Sequence, residues 1–143
     1  MNQTIKTFGY PETLIKEYKH WVVLLRTKQV TIGSLVLAAK SEATALGDLS
    51  NEEWAEFADV SRDMEELLDI SFGAEKFNYL ALMMKDPNVH FHFIPRYSKP
   101  VDFNGKKYHD SAWPSAANHK EWLEITDKEL DQIKTKLISI LEN

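Results

Sequence analysis

The sequence predicts an α+β fold in which a small antiparallel sheet carries a long central helix and a C-terminal helix. Three observations predict it. Two segments open with Ser/Thr-x-x-Glu capping signatures and continue with apolar residues at helical spacing. Short runs rich in β-branched and aromatic residues lie outside those segments, bounded by Gly, Pro, Asn and Asp. A chain of 143 residues also fits one domain, residues 1–143, large enough to bury roughly two thirds of its unfolded surface.

Taken in order, Tyr10-Pro11-Glu12-Thr13-Leu14-Ile15 reads as a turn leading into a short helix. "HWVVLL" (His20 to Leu25) and "SLVLAA" (Ser34 to Ala39) read as strands, with Gly33 where the second begins. The long helix starts at Ser50 and Glu53, with Leu49 and Trp54 placed as a hydrophobic staple. Trp54, Phe57, Val60, Met64, Leu67 and Leu68 form its one-sided stripe, which suits core packing better than a cofactor pocket, and Gly73 ends it. "KFNYLALMMK" and "NVHFHFIPRY" read as antiparallel strands joined by a tight reversal at Lys85-Asp86-Pro87-Asn88. The stretch from Ser98 to Lys120 reads as irregular, punctuated by Pro100, Gly105 and Pro114. The last helix opens at Thr126 and Glu129, with Ile125 set to staple Leu130, and buries Leu130, Ile133, Leu137 and Leu141.

Composition excludes several function classes. With no cysteine, disulfides and thiolate metal sites are ruled out. A net charge of −5 argues against broad nucleic-acid binding by phosphate neutralisation, while leaving room for a small anionic ligand held by a few local groups. The longest strictly apolar run, "YLALMM" from Tyr79 to Met84, is far short of the ~18 residues a membrane span needs. "MNQTIKTFGYPETL" has no apolar core resembling a signal peptide, and the chain reads as a cytoplasmic protein.

The chemistry concentrates in "DPNVHFHFIPRY". Strand geometry puts Asn88, His90 and His92 on one face and Val89, Phe91 and Phe93 on the other, so the aromatic face meets the core. Imidazoles at alternate positions sit roughly 7 Å apart at Cβ and can reach one small ligand. The residues alone leave three readings open. Both rings are structural; or they begin a metal site completed by His109, His119 or Asp110; or they work on an anion, one ring attacking and the other donating a hydrogen bond.

"NVHFHFIPR" resembles the signature of the histidine triad superfamily, His-x-His-x-His followed by two apolar residues and often Pro-Arg. "VTIGSLVLAAK" is similar to that family's segment before the long helix, where a Gly-His pair introduces a strand. The resemblance covers roughly Trp21 to Arg96 and is strongest to the branch of diadenosine polyphosphate hydrolases and the fragile histidine triad protein. It implies about five strands and a homodimer whose two sheets join, with the long helices also meeting. It implies a nucleotide hydrolase or nucleotidyl transferase acting at the α-phosphate of a dinucleoside polyphosphate or nucleoside phosphoramidate.

Carried over by position, His90 falls on the attacking histidine that takes the nucleotidyl group, and His92 on the one that assists at the phosphate. Asn88 replaces the first triad histidine. Its main-chain carbonyl falls where the family accepts a bond from Nδ1 of the nucleophile, a role indifferent to the side chain. Ser34 stands where the Gly-His pair has histidine, and Arg26 where the branch often has an asparagine touching ribose; with Arg96 these are the expected substrate-binding residues. No tightly bound cofactor or metal is expected, and magnesium enters only with a polyphosphate substrate. The alternatives are a nucleotide-binding module of the same fold with weak hydrolysis, and a His-x-His metal-binding protein. His20, His109 and His119 read as surface residues, and Asn78 as bonding across the sheet or facing the pocket.

Overall fold

The computed structural model describes residues 1–143. It contains helices α1 (Gln3–Thr7), α2 (Asn51–Phe72) and α3 (Asp127–Leu141). Strands β1 (Leu14–Glu17), β2 (Trp21–Leu25), β3 (Leu35–Ala39), β4 (Lys76–Leu80) and β5 (His90–Arg96) form one antiparallel sheet in the order β1-β2-β3-β5-β4. A separate hairpin pairs β6 (Val101–Phe103) with β7 (Lys106–Tyr108). No helix is long and apolar enough to cross a membrane.

The two long helices start and stop as their sequences dictate. Ser50 Oγ accepts from the Glu53 amide at 3.1 Å while Glu53 Oε1 accepts from the Ser50 amide at 3.0 Å. Thr126 and Glu129 make the same reciprocal pair at the head of α3, at 3.1 and 2.9 Å. Gly73 caps α2 with φ of 73°. Val60, Met64, Leu67 and Leu68 of α2 and Ile133 and Leu137 of α3 are buried against Val23, Leu35, Leu37 and Phe93 of the sheet. Leu130 and Leu141 are only half-buried at the margin of that face.

The opposite face of the sheet is where the chemistry will lie. In this register His90 pairs with Ala38 and His92 with Val36, and those two share their face with Val22 and Leu24. Ile5 of α1 covers this second apolar patch, with Phe8, Tyr10 and Leu14 packed around it. One face thus holds the main core, and the other a small cap beside the histidines.

Three local expectations need correction. The segment after Pro11 is the strand β1, not a helix, because Leu14 to Glu17 pairs with β2 across the sheet; the helix precedes it, as the five-residue α1. β4 stops at Leu80, so nine residues, not a tight reversal, connect it to β5, and Met83 in that connection takes φ of 46°. Finally, Ser98–Lys120 is not wholly irregular. Asn104 and Gly105, at φ of 51° and 79°, form the two-residue turn of the β6-β7 hairpin, as Asn-Gly favours.

Gly33, just before β3, takes φ of 88°, and a Cβ there would lie 2.3 Å from Leu68 Cδ1 of α2. Backbone strain and the clash act together, so Gly33→Ala is expected to lose about 2 kcal/mol of unfolding free energy. Chemical denaturation checks this, and a loss below a few tenths would refute the close approach.

Candidate active site

Burial of phenylalanine places the imidazoles. Phe93 is fully buried, and Phe91 packs on Phe57 of α2 at a 4.7 Å centroid separation. With both phenyl rings on the α2 side, the pleat turns His90 and His92 to the other. Their rings lie 5.2 Å apart, nearly perpendicular, and Phe8 approaches them at 5.2 and 5.8 Å. They open into a cleft of about 660 Å³.

His90 Nδ1 lies 2.8 Å from the carbonyl oxygen of Asn88. A carbonyl only accepts, so Nδ1 carries the hydrogen and the neutral ring presents the Nε2 lone pair. His92 is oriented the other way round. Arg26 Nε donates to its Nδ1 at 3.3 Å, which leaves the ring hydrogen on Nε2. Burial, then the neighbouring Arg26 guanidinium, then His90 and His119 lower the His92 pKa to about 4. Near neutral pH the site therefore offers one imidazole set to attack and one neutral imidazole set to donate a hydrogen bond.

Asn88 itself faces away from this chemistry. Its Oδ1 accepts from Thr4 Oγ1 at 3.0 Å, its Nδ2 donates to the Glu42 carbonyl at 3.3 Å, and its amide donates to Thr4 Oγ1 at 3.0 Å. The side chain fastens α1, and hence Phe8, beside the start of β5. It does not line the cleft.

Of the expected substrate-binding residues, Arg26 alone lines the cleft. Ser34 is fully buried in the turn before β3, donating to the Thr31 carbonyl at 2.8 Å and accepting from the Thr31 amide at 3.1 Å. Arg96 stands at the far end of β5 in a buried two-pronged pair with Asp110, at 2.7 and 3.1 Å, and also donates to Asn78 Oδ1 and the Ser115 carbonyl. Neither reaches the cleft: the hydroxyl closes a turn, and the guanidinium with its carboxylate braces the long loop against β5. Breaking such a buried pair typically costs about 3–5 kcal/mol.

His119, read as a surface residue, lies in the site. Its ring stacks 6.3 Å from that of His92, 25° from parallel, and its carbonyl accepts from Arg26 Nη2 at 3.2 Å. His109 is exposed and Asp110 is taken up by Arg96, so of the residues proposed to complete a metal site only His119 lies beside His92. No group of three or more His, Asp or Glu side chains is arranged to hold an ion. Lys28, Lys85 and Lys120 rim the cleft against a single carboxylate, Asp86. Leu82, Met83, Met84 and Trp122 supply its apolar wall. No local motif flags His119 or these rim residues; Arg26, just past β2, joins His119 to the site through its carbonyl.

No family model matches the chain, and no curated protein matches it in sequence. Solved structures do. A histidine triad protein from Marinobacter aquaeolei VT8 is 23% identical with a TM-score of 0.75, the match covering 99% of this chain and 95% of that one. A histidine triad protein from Sinorhizobium meliloti is 16% identical at a TM-score of 0.73, covering 97% and 94%. The diadenosine triphosphate hydrolase of Plasmodium falciparum, solved with Cyclomarin A, is 14% identical at 0.63, covering 92% and 78%. The fold is therefore the one shared by histidine triad proteins, α+β with a five-stranded antiparallel sheet.

The His92 pKa sets a pH dependence of stability. Unfolded, the ring titrates near ~6.5; folded, it resists protonation until about pH 4. The unfolded chain binds the extra proton in that window, so stability falls as pH drops from 6.5 to about 4 and this contribution levels off below. Thermal midpoints across that range should fall more steeply for the wild type than for His92→Gln. Parallel curves would remove the assignment.

Proposed function

We propose that the protein is a nucleotide hydrolase or nucleotidyl transferase of histidine triad type, acting at the α-phosphate of a dinucleoside polyphosphate or nucleoside phosphoramidate. One observation carries the reading: the 2.8 Å contact that holds the proton on His90 Nδ1 and frees Nε2 at the floor of the cleft. The histidine triad fold of the structural neighbours supports it, as does a cationic rim on a chain of net charge −5.

Negative oxygens around a phosphoanhydride repel anionic nucleophiles, and a neutral imidazole avoids that repulsion. His90 Nε2 attacks the α-phosphorus, and a P–N bond forms as the bond to the leaving group breaks. The His92 Nε2–H donates to a non-bridging oxygen as charge gathers there. Arg26 fixes the His92 tautomer and adds positive charge to the cleft. Water then attacks the nucleotidyl-histidine and releases a nucleoside monophosphate, the bonding pair returning to Nε2. Magnesium, in this reading, arrives as the counter-ion of a polyphosphate and not as a resident group. Asn88 contributes its carbonyl, while Ser34 and Arg96 support the scaffold.

A second reading, a nucleotide-binding module that leaves its ligand intact, is favoured by one observation: the Asn88 side chain is turned to Thr4, so the first triad position brings no titrating group to the cleft. A single experiment separates the two. Incubated with an adenosine phosphoramidate or a dinucleoside polyphosphate, the wild type should release AMP and show a nucleotidyl mass adduct on quenching. His90→Ala, with its fold retained, should lose turnover by at least about 10³-fold and lose the adduct. Saturable binding of intact nucleotide over hours would establish the module instead.

The same reading makes the protein a homodimer. β4 is an edge strand paired only with β5, so its outer edge is open to a second copy. Light scattering at micromolar concentration should return twice the 16.5 kDa chain mass. A stable monomer that turns over substrate would remove the dimer from the account.

A further inference from the structure

The geometry points to His119 as a third working imidazole, giving a proton to the leaving group in the first step and taking one from water in the second. This assignment rests on the nucleotidyl-histidine reading above.

It follows from where the other ring protons are committed. His90 holds its proton against the Asn88 carbonyl at 2.8 Å, which leaves Nε2 bare for the attack. His92 accepts from Arg26 at Nδ1, so its single ring proton sits on Nε2. Buried beside that guanidinium, it stays neutral down to about pH 4. A neutral imidazole N–H supplies a hydrogen bond but does not surrender its proton near neutrality. The Asn88 amide does not titrate and is occupied by Thr4 and the Glu42 carbonyl. The one remaining imidazole lining the cleft is that of His119.

Its placement suits the task. Arg26 holds the main chain of His119 through the carbonyl, not the ring, and the ring stacks on His92 at 6.3 Å. The residue is half-buried and lines the cleft. The charged and titratable groups that line the cleft with it are Arg26, Lys28, Lys85, Asp86, His90, His92 and Lys120.

The steps balance. As His90 Nε2 bonds to phosphorus, the scissile bond breaks, its electron pair goes to the leaving atom, and His119 in its protonated form supplies that atom with a proton. Neutral His119 then removes a proton from water as its oxygen bonds to phosphorus and the P–N pair returns to His90. Such an acid matters most for an amine leaving group, as in a phosphoramidate, and least for one that departs as a stable anion.

The test compares two adenylyl substrates, adenosine phosphoramidate and the para-nitrophenyl ester of AMP, on the full chain. Para-nitrophenolate needs no proton to leave. In His119→Asn and His119→Gln, which keep the carbonyl that Arg26 holds, kcat on the phosphoramidate should fall by about 10²-fold or more. The fall on the ester should be at least roughly tenfold smaller. Equal losses on both substrates, or no loss on either, overturn the assignment. A wild type inert on both and forming no adduct defeats the nucleotidyl-histidine reading and this role with it. An active wild type whose substrate ratio the variants leave unmoved defeats His119 alone.

Discussion

Alternation along β5 is the constraint on which the site rests. Fully burying one phenyl ring is worth roughly 1.5–3 kcal/mol, and β5 sets Phe93 fully and Phe91 partly into the face against α2. That burial sets the register, since a one-residue slip would push both phenyls out and both imidazoles into hydrocarbon. The polar pair is held by its apolar neighbours more than by any contact of its own. Gly33 belongs to the same arrangement, because the turn before β3 can approach Leu68 only without a side chain.

On the other face, electrostatics divides the labour between rings that look alike in sequence. A carbonyl beside His90 and a guanidinium beside His92 fix opposite tautomers, one leaving Nε2 bare and the other leaving it protonated. Arg26 also holds the loop that carries His119, so a single strand-end residue organises two imidazoles. The basic rim concentrates positive charge locally on a chain whose net charge is −5.

Much of the fold was legible because its signals are local. Each capping box spans four residues, each helix repeats its stripe over several turns, and the period-two pattern of β5 marks its two faces outright. Asn104-Gly105 was equally legible as a hairpin turn, though the segment read as irregular among its prolines. The short α1 was not: five residues carry no periodicity, and Ile5 is defined by the sheet patch it covers. Among site residues, the histidine pair follows from the strand alone, whereas His119 depends on a long connection folding back to Arg26. Ser34 and Arg96 show the converse. Their types suit phosphate, but a turn and a buried carboxylate had already claimed their donors.

The fastening of Asn88 to Thr4 bears on how this site is to be compared with a full triad. The side-chain amide accepts from one partner and donates to another. An imidazole sets Nδ1 about where one amide atom sits but Nε2 a bond farther out, so it would not reproduce both bonds. Replacing Asn88 with histidine would therefore do more than add a titratable ring. It would dislodge the N-terminal helix and, with it, the aromatic wall at Phe8, trading a chemical group for the shape of the chamber. Positions 4 and 88 form an interlock, tied by the Thr4 hydroxyl to both the side chain and the main chain of Asn88.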